Sequence, residues 1–216
     1  MLPFSSADET KAKSLTKQLN ALDKLLNQRG YPALKKRHPS YYQNLAPSQF
    51  DVLESKVNNY IQILGKAEKE SLPQGENTSL FWIACKHFNL RPRNDYLNTI
   101  GHDDVIEIYS LENKQIFSSC NFWSLVSYSI EDVFLEEFWD LYHRDDYVNQ
   151  QIFERLQKTL QENETTFFAM DDHVMEETKS PNKHKFLMNI HAVSPLYDRN
   201  TNQIAAYSGL LRARRI

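Results

Sequence analysis

The segment KHKFLMNIHAVSPLYDRNTNQIAAYSGLLRAR, residues 183–214, decides the fold because it contains two adjacent strand patterns joined by a polar turn. In the first half one face is apolar, and it carries Phe186, Met188, Ile190 and Ala192. The second half alternates in the same way from Ile204 to Leu211. Alternation with a period of two is typical of β-strands. The segment therefore predicts two neighbouring strands of one sheet.

Three further strand patterns extend this sheet. VIEIYSL (105–111) and QIFSSC (115–120) flank the turn ENK, and the run 164–177 precedes the final pair. Between them we expect two or three short helical pieces within 121–142 and a longer helix from about Asp145 to Glu162. This order predicts an α+β fold, a single five-stranded antiparallel sheet with helices on one face.

Two amphipathic helices are predicted before the sheet. The first runs from Ser6, which with Glu9 forms a capping box, to Arg29, and the second from Pro47 toward Gly65 or Ser71. Apolar residues recur at helical steps in both: Ala12, Leu15, Leu19, Leu22 and Leu26, then Phe50, Leu53, Val57, Tyr60 and Leu64. The two helices are expected either to form a hairpin that packs within the chain or to provide the surface of a homodimer. The sequence leaves both alternatives open.

The links between these parts divide the chain into three segments. LKKRH (34–38), between the two helices, is interpreted as a solvated basic cluster rather than a phosphate contact. SLPQGEN (71–77) has the composition of a linker, and a third helix follows over 79–88. We expect an N-terminal helical region over 1–75, a connecting helix and loop over 76–102, and the sheet over 103–216.

The composition restricts the class of protein. The 216 residues are 41% apolar and 12% aromatic, which favours a packed core, and the net charge of −3 argues against direct nucleic-acid binding. Cys85 and Cys120 lack a CxxC spacing, so we expect free, buried thiols in a reducing cytoplasm. We find no secretory signal and no apolar run long enough for a transmembrane helix, and so expect no membrane association.

Three stretches of the second half resemble the PAS domain family of sensors. They are NFWSLVSYSIEDVF (121–134), LYHRDD (141–146) and VSPLYDRNTNQIAAYSGLLR (193–212). The resemblance covers about residues 103–214 and implies a PAS-like sensory domain with no catalytic activity of its own. The helical N-terminus followed by such a domain resembles the sensory regions that precede LuxR-type helix-turn-helix domains in bacterial transcription regulators.

The resemblance also implies a cavity between sheet and helices for a small ligand of apolar or mixed polarity. Its candidate wall residues are apolar or aromatic: Phe122, Trp123, Leu125, Tyr142, Phe153, Phe168, Met188 and Ile190. The alternative is that these side chains only fill the core. The cofactor is unknown: the helix 146–162 has no histidine for haem, and SSCNFW (118–123) lacks the flavin photosensor signature.

The charged residues at 143–146 are interpreted as structural. Asp145 or Asp146 is expected to cap the long helix, and His143 and Arg144 to lie in the preceding turn. MDDHVMEE (170–177) is expected to be a solvated strand edge rather than a metal site.

Two other classes of function remain open. The chain lacks the short motifs of common hydrolases and nucleotide-binding enzymes, but a small isomerase or hydratase would need only an acid/base in the cavity, with Tyr142 and a histidine as candidates. A buried ionisable residue facing the cavity would favour such an enzyme, and a dry aromatic lining would favour the sensor. The third class is a scaffolding module that dimerises through the N-terminal helices.

Overall fold

The computed structural model describes residues 6–73, 76–167, 171–180 and 182–216. The helices are α1 (Ser6–Gln28), a 3-10 helix (Pro39–Asn44), α2 (Pro47–Lys69), α3 (Asn77–His87), α4 (Asn94–Leu97), α5 (Phe122–Leu125), α6 (Ile130–Leu135), α7 (Phe138–Leu141) and α8 (Asp146–Glu162). The strands are β1 (Leu90–Arg91), β2 (Val105–Ser110), β3 (Gln115–Ser118), β4 (Tyr142–Arg144), β5 (Thr166–Phe167), β6 (His173–Glu177), β7 (Lys185–Asp198) and β8 (Ile204–Arg215).

All described strands form one antiparallel sheet. Its main order is β3-β2-β8-β7-β6-β4, and β1 and β5 also pair with β7. The first strand pair therefore lies beside the last three strands, which confirms the predicted α+β, PAS-like arrangement. The run predicted as one strand, 164–177, contains two strands that pair with different parts of β7.

The helices α7 and α8 lie over one face of the sheet. Strand alternation, with Glu107 opposite Gly209 and Val105 opposite Leu211, puts these four residues on that face. Two or three short helices were predicted within 121–142, and the structure has three there, α5, α6 and α7.

The stretch before α8 is a strand rather than the predicted turn. Asp145 caps α8, because its Oδ1 accepts a hydrogen bond of 2.8 Å from the backbone N–H of Tyr147. His143 and Arg144, however, belong to β4 and pair with Glu176 and Met175 of β6. β4 provides hydrogen-bonding partners for the second edge of β6. These backbone hydrogen bonds stabilise the extended conformation of 142–144, although the composition of that segment is typical of a turn.

The opposite face of the sheet is covered by α3, α4 and the loop after them. The buried Tyr96 hydroxyl of α4 and the Ser208 hydroxyl of β8 are hydrogen-bonded at 2.8 Å. Asp104 accepts hydrogen bonds from Arg212 (2.9 Å) and His191 (3.2 Å), both on the sheet. Helices therefore cover both faces rather than the one face predicted: α7 and α8 cover one, and the part of the chain before β2 covers the other.

The two N-terminal helices pack as a hairpin within the chain. All ten residues of the predicted apolar stripes are buried. The stripes on which the homodimer hypothesis rested are therefore turned inward. Within the described residues, every helix is too short or too polar to span a lipid bilayer.

The basic link LKKRH is exposed at its charged residues and contacts both the hairpin and the sheet-bearing part. Lys35 Nζ donates to the carbonyl of Val126 at 3.0 Å, and Arg37 forms an ion pair of 2.7 Å with Asp132. Lys36 Nζ contacts Asp23 of α1 at 2.9 Å. Lys35, Lys36, Arg37 and His38 are all exposed, as predicted for a solvated cluster, although three of them also contact acidic or carbonyl oxygens.

Tyr42 and Glu131 form the buried part of this contact. The Tyr42 hydroxyl donates to Glu131 Oε1 at 2.5 Å, and the backbone N–H of Arg37 donates to Glu131 Oε2 at 3.1 Å. Glu131 is fully buried and Tyr42 is 5% exposed. A carboxyl group at this depth depends on these donors.

We expect Tyr42→Phe to lower the free energy of unfolding by about 1–3 kcal/mol, because the buried Glu131 loses a donor. Urea denaturation of the intact chain measures this. Tyr41→Phe is the matched control, since the Tyr41 hydroxyl has no hydrogen bond with a described residue, and its effect should be within about 0.5 kcal/mol. Equal effects of the two substitutions would contradict a structural role for the Tyr42–Glu131 bond.

Candidate functional site

A pocket of about 490 Å³ lies between the sheet and helices α7 and α8. Its sheet side is formed by β2, β4, β7 and β8. The residues that line it come from all these elements: Glu107, Tyr109, Asn113, Phe138, Trp139, Tyr142, His143, Arg144, Asp146, Asn149, Ile152, Phe153, Leu156, Ile190, Val193, Tyr207, Gly209 and Leu211. The pocket is in the size range of small-molecule sites.

The floor of the pocket carries a hydrogen-bonded carboxyl group, Glu107 of β2. Its Oε2 accepts from the Tyr109 hydroxyl at 2.9 Å, and its Oε1 accepts from Gln115 Nε2 of β3 at 2.8 Å. The Tyr109 ring stacks on that of Tyr207, with centroids 5.3 Å apart and planes 12° from parallel. Two strands and a pair of stacked aromatic rings therefore fix the position of this carboxyl group.

Burial changes the acidity of Glu107. Loss of hydration raises its pKa from an ordinary 4.5 to about 7, although hydrogen bonds from Tyr109 and Gln115 and the positive charge of Arg144 oppose the rise. Near neutral pH the group is therefore present in both protonation states.

Arg144 of β4 is a buried cation in the wall of the same pocket. Only 8% of the residue is exposed. Its guanidinium lies 3.1 Å from the Met175 sulfur, 3.9 Å from the Met188 sulfur and 5.4 Å from the centre of the Phe138 ring. Among the described residues it forms no ion pair, and burial lowers its pKa.

Gly209 leaves room above the sheet. It lines the pocket, and a Cβ added to it would meet no atom within 4 Å. Any larger side chain at this position on β8 would occupy pocket volume. The mouth of the pocket lies near Trp139 and Phe153, which are 54% and 48% exposed.

The predicted wall residues fall into three groups. Tyr142, Phe153 and Ile190 line the pocket, although Phe153 lies at its mouth rather than in a buried wall. Phe122, Leu125 and Met188 line a small adjoining space that shares Glu107 and Phe138 with it. The binding role of these six residues stays a prediction.

The other two predicted residues are not in the pocket. Trp123 packs against Tyr60 and Phe134, with ring centroids 6.0 Å and 5.7 Å apart, because the single turn of α5 directs it toward α2. Phe168 lies outside the described residues.

Sequence reasoning missed the three residues that give the pocket its chemistry: Glu107, Arg144 and Gly209. Glu107 could have been found as the one acidic residue inside the apolar run VIEIYSL. Arg144 was included in the quoted stretch LYHRDD but interpreted as part of a turn. No pattern in the neighbouring sequence indicated that strands β2, β4 and β8 bring Glu107, Arg144 and Gly209 together in one pocket.

Tyr142 and His143, which fit the candidate pair for catalysis, both line the pocket, although successive residues of a strand point to opposite faces of the sheet. The Tyr142 hydroxyl is buried without a hydrogen-bond partner in the described part of the chain, and burial raises its pKa well above the ordinary value. His184 lies near Glu177, and His191 contacts Asp104. His173 lies on strand β6. Among the described residues there is no group of three potential metal ligands.

The lining is thus mixed rather than dry and aromatic. Two buried ionisable side chains, Glu107 and Arg144, belong to it. Because buried ionisable residues facing the cavity were expected for an enzyme and a dry aromatic lining for a sensor, this observation favours the enzyme.

Comparison with known proteins gives only distant likenesses. No protein-family model matches the chain, and no curated protein matches it. A sensory box sensor histidine kinase from Vibrio cholerae is similar in structure, with 10% identity and a TM-score of 0.31, over 56% of this chain and 89% of that chain. An RNA-binding Light-Oxygen-Voltage receptor shows 12% identity and a TM-score of 0.35, over 95% of this chain and 60% of that chain.

We expect Glu107→Gln to remove a pH dependence of folding stability. Because the folded-state pKa is raised, the contribution of Glu107 to stability is greatest below about pH 4.5 and falls as the pH rises toward 7, by about 3 kcal/mol in total. Urea unfolding at several pH values should show this fall in the unaltered chain and its absence in the variant.

The exposed Glu164 provides the control for this measurement. Glu164→Gln should keep the fall, since that side chain is in solvent. An unchanged pH profile in Glu107→Gln would show that the Glu107 carboxyl does not titrate in this range.

Proposed function

We propose that the chain is a non-catalytic sensory module that binds a small organic ligand in the pocket between the sheet and α7–α8. The observation that carries the proposal is the pocket itself, about 490 Å³ with mostly apolar walls and a few fixed polar groups. Sites for small molecules have this combination of apolar walls and a few placed polar groups. Ligand entry would shift the balance between two arrangements of the sheet and the N-terminal helices.

A physical connection from the pocket to the N-terminal helices supports a signalling role. Gln115 of β3 holds the floor carboxyl of Glu107. At the other end of β3, the Tyr60 hydroxyl of α2 donates to the Ser118 carbonyl at 3.0 Å and accepts from the Ser118 N–H at 2.6 Å. A shift of β3 on ligand binding would therefore act directly on α2.

The proposal includes a cellular setting. We infer a sensory region of a bacterial transcription regulator of LuxR type, acting in the cytoplasm through a partner or an output domain that contacts the N-terminal helices. Cys85 and Cys120 are free and buried, which is compatible with a reducing compartment.

A small isomerase or hydratase is the second candidate, because Glu107 faces the pocket with a pKa near 7. That value suits a general acid or base. Two features weigh against it: both Glu107 oxygens already accept hydrogen bonds, and the nearest hydroxyl partner, Tyr109, has a pKa raised well above its usual value.

The proposal predicts that Gly209→Val abolishes ligand retention while the protein still folds. The added side chain would fill pocket volume, its Cβ would meet no atom within 4 Å, and valine suits a strand. Native mass spectrometry of the freshly purified protein should show a bound small molecule, and Gly209→Val should lack it.

Gly65→Val is the matched control, since a Cβ at Gly65 of α2 also meets nothing within 4 Å and Gly65 does not line the pocket. It should retain the molecule. Retention by Gly209→Val at the level of the unaltered chain, or a protein purified without any bound molecule, would contradict binding in this pocket. Release of a chemically altered product over time would favour the enzyme.

A further inference from the structure

We propose that the ligand is a small aromatic compound with one carboxylate group, which forms an ion pair with Arg144. The inference rests on the proposed function, since it specifies the chemistry of the ligand in the same pocket. Four observations carry it. The guanidinium of Arg144 has no ion-pair partner among the described residues, and Glu107 does not pair with it. The pocket walls are aromatic, and Arg144 is the one arginine or lysine among the described lining residues.

The guanidinium of Arg144 has unused hydrogen-bonding capacity. An arginine side chain has five N–H donors in a planar fork. The acceptors that contact this one are the sulfur atoms of Met175 and Met188, and a thioether is a weak acceptor. Burial of a cation without a partner is unfavourable, so an anion that enters the pocket gains a strong interaction there.

Glu107 does not serve as the permanent partner of Arg144. The two form no ion pair, and the Glu107 oxygens are held by Tyr109 and Gln115. The carboxyl group also carries a proton for part of the time near neutral pH. Arg144 is therefore available to an incoming carboxylate, whose planar geometry matches the guanidinium fork.

The walls favour a flat aromatic body. The stacked pair Tyr109–Tyr207 forms one wall, and Phe138, Trp139 and Phe153 contribute further aromatic surface. Aromatic side chains interact well with an aromatic ring in stacked or edge-on arrangements.

The charges in the lining favour a single negative group. Arg144 is the one arginine or lysine among the described lining residues, and Asp146 adds a negative charge. A phosphate or a dicarboxylate would need more donors than this lining provides. One carboxylate opposite Arg144 leaves the rest of the ligand against apolar surface.

The test uses two probes that differ in charge but hardly in shape, naphthalene-2-acetate and naphthalene-2-acetamide. Isothermal titration calorimetry at constant ionic strength gives the affinity of each for the full chain. We expect the acid to bind roughly tenfold or more tightly than the amide, as for a hydrogen-bonded charge pair. In Arg144→Met the ratio should fall to about one, because the acid loses affinity and the amide does not.

A second measurement separates binding from structure. Arg144→Met replaces an unpaired buried cation with an apolar side chain of similar length, so its thermal unfolding temperature should equal or exceed that of the unaltered chain. Arg37→Met, at an exposed ion pair distant from the pocket, should leave the preference for the acid intact. A lower unfolding temperature of Arg144→Met with an unchanged preference would assign Arg144 a purely structural role.

The outcomes distinguish the two proposals. Equal affinities for acid and amide, with both lost in Gly209→Val, would overturn the carboxylate inference and leave ligand binding in the pocket standing. Failure of both probes to bind at millimolar concentration would overturn the inference of an aromatic carboxylate, whereas the proposed function would be overturned only if the freshly purified protein holds no small molecule.

Discussion

Strand β7 is the element on which the whole architecture depends, because it has partners along both edges. Strand β8 pairs with it from Phe186 to Tyr197, while β6, β5 and β1 follow one another along the opposite edge. Its burial alternates at first and becomes continuous from Ala192 to Tyr197. From Ala192 to Tyr197 the strand is therefore covered by packed elements on both faces. This part of β7 connects the N-terminal helices on one face with α7 and α8 on the other.

The two faces of this sheet are built for different purposes. On the face covered by α3 and α4, the small side chains of Ser194 and Ser208 allow the Tyr96 ring to approach and bond to the strand. On the pocket face the open position is Gly209, and no side chain fills the space above it. A sheet packed for stability alone would fill that space, since unfilled volume in a core is unfavourable.

The elements could be predicted from the sequence, but the chemistry of the pocket could not. The apolar stripe from Ala12 to Leu26 and the alternation from Phe186 to Ala192 reflect local periodicity, and burial follows the same periodicity in the fold. Arg144 shows the limit of such reasoning. Its neighbourhood is created by β6 and β7, more than 30 residues away, so its contacts with Met175 and Met188 have no local signature.

Glu107 and Arg144 are buried ionisable residues in the same pocket, whereas buried charged groups in proteins are usually paired. Each is buried with no ion-pair partner among the described residues, and each has a pKa shifted by loss of hydration in the direction that opposes its charge. Apolar residues of similar size would give a more stable core. Groups that cost stability tend to persist where binding compensates for them. The burial of these two residues in such surroundings is therefore an argument in favour of the ligand site proposed above.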